Sequence, residues 1–306
     1  MSIVINSRPI RAVIHTDALR HNLGVVRRAA GDAKVWAVVK ANAYGHGITH
    51  VFEGLRAADG FACLDLTEAQ TLRSLGWRGP ILLLEGVFNA RDLEWCSRLN
   101  LWHVIHTEQQ IDWLAAHKTN EPQRVFLKLN SGMNRLGFTL ERYRAAYVRL
   151  SALPQVDEIS HLTHFSDADT SKGIAAQWQV FQKATDGLDG ERSVSNSAGG
   201  LLHPEVETEW VRAGIALYGS EFVPPQFVFG LKPAMTLEAR IVSVQNIVAG
   251  ESIGYGSGFI AQHPMRIGTV ACGYADGYPR HASSAANGAP VLVAGTPSRT
   301  LGRISM

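Results

Sequence analysis

The chain has 306 residues, 46% hydrophobic and 18% charged, with a formal net charge of +2. That is a globular composition long enough for one large domain or two. Without a Lys/Arg cluster it carries no nucleic-acid or polybasic membrane footprint. No run approaches the ~18 consecutive apolar residues of a spanning helix. The opening "MSIVINSRPIRAV" lacks the pattern of a secretory signal. Three widely spaced cysteines, Cys63, Cys96 and Cys272, suit reduced thiols and a cytoplasmic setting better than a disulfide framework or a zinc knuckle.

Taken in chain order, eight short apolar runs alternate with amphipathic stretches. The runs are "VWAVVKA" from Val35, "GFACLDL" from Gly60, "PILLLEG" from Pro80 and "LWHVIHT" from Leu101. They continue with "RVFLKLN" from Arg124, "VDEISHLTHF" from Val156, "ERSVSNS" from Glu191 and "WVRAGIALYG" from Trp210. Segments such as "LTEAQTLRSLG" and "TEQQIDWLAAH" place apolar residues at helical spacing, often after a Thr or Asp suited to an N-cap. Repeated strand-then-helix units predict parallel β/α architecture. A closed eight-unit barrel needs roughly 200 to 250 residues, which fits the chain up to Lys232; an open doubly wound sheet is the alternative. After "LKPAM" the texture becomes alternating and Gly-punctuated, which predicts an antiparallel β domain. The expected division is residues 1–232 for the barrel and 233–306 for the β domain. The last run, "LGRISM", reads as a strand without its terminating turn, so the β domain is expected to be truncated.

Candidate chemistry gathers at the strand ends. Side chains alternate along a strand, so Trp36, Val38 and Lys40 share a side. A lysine there either snorkels to solvent or forms a desolvated amine fit for a Schiff base. Catalytic groups of barrels sit at this C-terminal rim. His164 ends the sixth run, Asn196 and Ser197 the seventh, and Arg212 and Gly214 lie in the eighth. Lys128 lies inside the fifth, with Arg135 just past it. Amides near Ser197 and Gly214, with the Ser197 hydroxyl, form a candidate phosphate cradle.

Other patterns are weaker. His46 and His50 stand i,i+4 on a predicted helix but lack a third metal ligand. His161 and His164 face opposite sides of their strand. "GYGSGF" lacks the spacing and setting of a nucleotide fingerprint. Asp167 and Asp169 read as loop acids. In "CGYADGYPR", Tyr274 and Tyr278 flank a tight turn, either as aromatic shoulders of a hairpin or with one phenol acting as an acid or base.

Together "AVVKANAYGHG", "KLNSGMNRLGF", "THFSDAD", "SNSAG", "VRAGIALYG", "GYADGYPR" and "GRISM" resemble, in order and over the whole chain, the motifs of bacterial alanine racemase, a family dependent on pyridoxal 5′-phosphate (PLP). The resemblance implies an N-terminal (β/α)8 TIM-type barrel, a C-terminal mainly antiparallel β domain, and racemisation of alanine that supplies the D-isomer for peptidoglycan. It implies a homodimer with shared active sites. Lys40 then holds PLP, and Tyr44, Ser197, Gly214 and Ile215 contact its phosphate. Arg212 faces the pyridine nitrogen. Because arginine keeps its proton, that nitrogen stays unprotonated, which discourages transamination. Arg135 serves the substrate carboxylate, and Lys128 is the candidate for carbamylation behind it. Tyr274 is the second base, from the partner subunit. His164 belongs to the network around Tyr274, and the Met306 backbone helps hold the substrate carboxylate.

The family usually continues past "GRISM", and "NSGM" stands where many relatives have "DTGM". The alternatives are a non-catalytic PLP-binding protein, a truncated inactive racemase, a barrel PLP decarboxylase or aldolase, and a broad-specificity racemase. No metal and no nucleic-acid or membrane partner is expected.

Overall fold

The computed structural model describes residues 8–119, 121–220, 223, 227–282 and 288–306. The chain forms two compact units. One is Ile14–Met235; the other joins the residues up to Val13 with Thr236–Met306. The larger unit ends at Met235, whereas the sequence places a boundary after residue 232. The N-terminal residues, read with the barrel from sequence, belong to the smaller unit because β1 (Ile10–Ile14) pairs with a strand that follows the barrel.

The larger unit carries eight parallel strands, each on one of the eight apolar runs. They are β2 (Lys34–Val38), β3 (Gly60–Cys63), β4 (Ile81–Leu83), β5 (Trp102–Ile105), β6 (Gln123–Lys128), β7 (Val156–Leu162), β8 (Arg192–Ser193) and β9 (Trp210–Ala213). The ladder runs in sequence from β8 back to β2, and β9 then pairs with β2. Between β8 and β9 the ring is joined by backbone bonds from Glu209 N–H to Arg192 O (3.0 Å) and from Arg212 N–H to Ser195 O (2.9 Å). The open-sheet alternative is thereby excluded.

Alternation along each strand sorts the apolar residues into two cores. Val35, Ala37 and Val39 pack outward against the helices. Trp36, Val38, Ala62, Leu82, Val104, Phe126, Leu162 and Trp210 fill the barrel interior. There the indoles of Trp36 and Trp210 stack at 4.0 Å, with Trp102 edge-on at 5.5 Å from Trp36. The interior is therefore packed rather than a pore, and the polar groups are confined to the strand tips. The predicted caps form. Asp65 accepts from Glu68 N–H (2.9 Å) and Thr107 from Gln110 N–H (3.3 Å), starting the helices Leu66–Ser74 and Glu108–Ala116.

In the smaller unit β10 (Met235–Ala239) is the partner of β1. Three antiparallel pairs follow: β11 (Ile241–Ile247) with β14 (Met265–Val270), β12 (Ser252–Ile253) with β13 (Phe259–Ile260), and β15 (Pro290–Val293) with β16 (Thr296–Arg299). Much of its apolar surface is open to solvent, including Ile241, Val242, Val244, Val270, Leu292 and Val293. Among the described residues no helix is long and apolar enough to cross a membrane.

Candidate active site

Lys40 comes two residues after the end of β2, on the interior-facing phase of Trp36 and Val38. Burial, followed by the charges of Arg135 and Arg212, lowers the pKa of its amine. The chain then does something the sequence did not announce. Ala41, Asn42, Ala43 and Tyr44 all take positive φ, at +53°, +51°, +58° and +53°, forming one turn of left-handed helix. Each non-glycine residue there costs about 1–2 kcal/mol, so the turn persists only where its surroundings hold it. The Asn42 N–H donates to Glu68 Oε1 (2.8 Å), and Asn42 Oδ1 accepts from Ile48 N–H (2.9 Å). Within the turn, Gly45 N–H donates to Ala41 O (3.0 Å).

The turn brings Tyr44 back over the rim. A Cβ added to Gly214 would lie 2.3 Å from the Tyr44 hydroxyl oxygen, so only glycine allows this approach. Ser197 Oγ accepts from the N–H groups of Gly214 (2.9 Å) and Ala216 (3.3 Å). Ile215 lies between them and opens the 3₁₀ turn Ile215–Tyr218. The two amides thus hold the Ser197 oxygen as acceptor and leave its O–H, with that of Tyr44, as donors for a candidate phosphate site. These residues fit the phosphate of PLP, beside a lysine suited to its aldehyde. Ala216 was not singled out from sequence; its amide direction follows from the 3₁₀ turn.

Arg212 is buried and donates widely. Its Nη1 reaches the Ser193 carbonyl and Ser193 Oγ (2.9 Å), and its Nη2 reaches Thr163 O (2.7 Å). Burial and the neighbouring Arg135 push its pKa down to about 9, so it remains cationic at neutral pH. Arg212 Nη2 also donates to His164 Nδ1 (3.2 Å). That bond makes Nδ1 an acceptor. Burial first, then Arg212, Arg135 and the two lysines, hold the imidazole neutral, its pKa well below the usual histidine range.

Lys128 closes β6 and is buried; burial, then Arg212 and Arg135, lower its pKa to about 8. It lines a small cavity with Arg135, Thr163 and His164. The loop between Lys128 and Arg135 is built on Asn130, whose Oδ1 accepts from Gly132 N–H (3.1 Å) and Asn134 N–H (3.0 Å). The asparagine of "NSGM" therefore performs the turn-forming role open to an aspartate. Ser131 and Thr163 hydroxyls, 2.7 Å apart, tie the loop to the end of β7.

In the smaller unit, Tyr274 opens a short turn fixed by Asp276, which accepts from Gly273 N–H (2.9 Å) and pairs with Arg8 (2.7 Å). Tyr274 N–H donates to Ser305 O (3.1 Å), and a Cβ on Gly273 would lie 2.4 Å from the Met306 carbonyl carbon. Tyr274 and the Met306 backbone are thus neighbours. The Arg280 guanidinium lies over the Tyr274 ring at 5.6 Å.

The histidine pair at 46 and 50 is corrected. The helix begins at Ile48, and Gly47 at φ +87° turns the chain between them, so the i,i+4 geometry does not exist. His161 faces out of the barrel, against the Tyr143 hydroxyl (2.8 Å) and Asp189 O (3.1 Å). Asp167 is a loop acid paired with Lys172 (3.1 Å). Among the described residues no group of three or more His, Cys, Asp or Glu side chains is arranged to hold a metal ion.

A barrel with a desolvated lysine at one strand end, a candidate phosphate site at the rim and a buried arginine suits the class of barrel-borne PLP enzymes. The family profile "Alanine racemase, N-terminal domain" matches residues 14–221, and "Alanine racemase, C-terminal domain" matches residues 234–306. The chain belongs to the alanine racemase family. It is 65% identical over 305 residues to the alanine racemase of Acidovorax sp. (strain JS42), covering 98% of this chain and 83% of that one. Its structure matches the biosynthetic alanine racemase of Pseudomonas aeruginosa with a TM-score of 0.92 at 43% identity, over 98% of this chain and 84% of that one. A histidine racemase of Leuconostoc mesenteroides has the same fold at 29% identity, with a TM-score of 0.84, over 99% of this chain and 84% of that one.

Proposed function

We propose that this chain interconverts L- and D-alanine with PLP held on Lys40, and that Lys40 and Tyr274 are the two bases. The observation that carries the reading is the Tyr44 hydroxyl held against Gly214, and Ser197 oriented by the Gly214 and Ala216 amides, at the barrel rim that carries the lowered-pKa amine of Lys40. When bound, the cofactor supplies the electron sink that acidifies the substrate Cα hydrogen. Lys40, with its lowered pKa, takes or returns a proton on one face. Tyr274 serves the other face. Arg135 and the Met306 backbone would hold the substrate carboxylate, and Arg212, which stays cationic, would donate to the pyridine nitrogen of the bound cofactor. The neutral His164, accepting from Arg212 at Nδ1, would leave Nε2–H free to donate to the phenol.

Tyr274 is assigned to the partner subunit of a homodimer. Support comes from the apolar side chains that the smaller unit leaves exposed, which a second chain would cover. Lys128, its pKa lowered to about 8, has a neutral fraction at physiological pH, which addition of carbon dioxide requires; the resulting anion would anchor Arg135. Two buried free thiols, Cys63 and Cys96, suit the cytoplasm, where D-alanine enters cell-wall precursors.

Borohydride reduction of the PLP-loaded protein followed by peptide mass spectrometry tests the anchor. The expected adduct is on Lys40, and no adduct in a folded, PLP-saturated sample defeats the reading. Turnover of L-alanine in deuterium oxide should give D-alanine labelled at Cα; a non-catalytic binder gives none.

A further inference from the structure

We propose that Glu68 is a positioning residue for Lys40: its buried carboxylate clamps the left-handed turn that makes Lys40 and Tyr44 address one site. The inference rests on the assignment of those two residues to the PLP site. Glu68 is only 9% exposed. Oε1 accepts from Asn42 N–H (2.8 Å), inside the turn after β2, and Oε2 accepts from Leu64 N–H (2.9 Å), just after β3. One carboxylate therefore ties together the tips of two adjacent barrel strands. Among the described residues Glu68 makes no ion pair, so its charge is satisfied by backbone amides.

The arrangement departs from the local rule. Asp65 and Glu68 have capping-box spacing, and Asp65 performs its half by accepting from Glu68 N–H (2.9 Å). The Glu68 side chain, which in such a box turns back to the amide of the cap residue, instead reaches Leu64 and a residue 26 positions earlier. That diversion falls on the one stretch, among the described residues, where four consecutive non-glycine residues hold positive φ. Glu68 also brings a negative charge toward Lys40. With Glu85 it counters the arginines at 135 and 212, which act with burial to hold the amine's pKa down.

PLP affinity of the apo-protein, read by spectral titration, tests the clamp against thermal stability. Glu68→Gln keeps one acceptor and sets an amide donor against the other N–H. Affinity should fall about tenfold, and about a hundredfold in Glu68→Ala. Ala41 is exposed, so adding Ala41→Gly relieves positive-φ strain without loss of packing and should recover most of the Glu68→Gln deficit. The pH midpoint of Lys40 labelling by PLP and borohydride should move down in Glu68→Gln, since a negative neighbour is gone. Gln123→Leu breaks the Gln123–His103 bond (2.7 Å) at the opposite end of the barrel; it should lower Tm and leave PLP affinity unchanged. Unaltered PLP affinity in a folded Glu68→Gln protein, or a loss matched by Gln123→Leu at equal Tm, overturns the inference alone. Failure of the parent chain to bind PLP overturns the site assignment and the inference with it.

Discussion

The two units treat their functional groups in opposite ways. In the barrel, Lys40, Lys128, His164 and Arg212 are withdrawn from water and crowd one another, and each pKa moves down in consequence. In the smaller unit Tyr274 is 41% exposed and Met306 72% exposed, on a framework whose strands leave valines and isoleucines in solvent. Desolvation tunes an ionisable group only where a closed core surrounds it. The barrel makes its own enclosure, whereas the smaller unit leaves its phenol open to solvent. The proposed sharing of sites between two chains would supply cover for it.

The contrast can be broken or sharpened experimentally. The largest effect is expected in the barrel: Lys40→Ala removes both anchor and base, and racemisation should fall about 10⁴-fold or more. Tyr274→Phe should lower turnover about 10²- to 10³-fold while leaving PLP bound, because it removes a base and no cofactor contact. Mixing and reassembling these two inactive variants separates the arrangements. Shared sites should restore about a quarter of parental activity through heterodimers, whereas sites contained in one chain restore none.

Lys128 gives a smaller, pH-dependent effect. Its folded pKa of about 8 lies below the unfolded value near ~10.4, so between them the unfolded chain binds more protons and stability rises with pH. In carbonate-free buffer Lys128→Met should stabilise the protein by up to about 3 kcal/mol at pH 7, with the gain vanishing near pH 10. Denaturant titrations at both pH values check the sign. The smallest effect on folding belongs to the exposed strands. Val242→Glu with Val244→Glu should change monomer stability by no more than about 1 kcal/mol. For the proposed dimer, sedimentation should nevertheless show a shift toward monomer; a parent chain that is already monomeric, or a dimer left unshifted, counts against this face as the interface.

Much of the barrel was legible because period-two alternation and strand-end position are local properties. The Trp36–Val38–Lys40 phase, the caps at Asp65 and Thr107 and the residues from Asn196 to Gly214 needed no tertiary information to be located. The smaller unit was legible in class, but its claim on β1 was not, since nothing near Ile10 signals a partner more than 200 residues later. His46 and His50 failed as a pair because a spacing rule assumes an unbroken helix, and Gly47 breaks it.

By itself the amino-acid sequence determined which side chains face the barrel interior, which stand at its rim, and therefore which groups are available for chemistry. Only the tertiary structure decided the shape of the segment after Lys40. "ANAY" has no preference for left-handed helix; the conformation is imposed by Glu68, Ile48 and the approach of Gly214. Backbone strain of that kind is stabilised by contacts distant in sequence, so it is invisible to any reading of periodicity or local propensity.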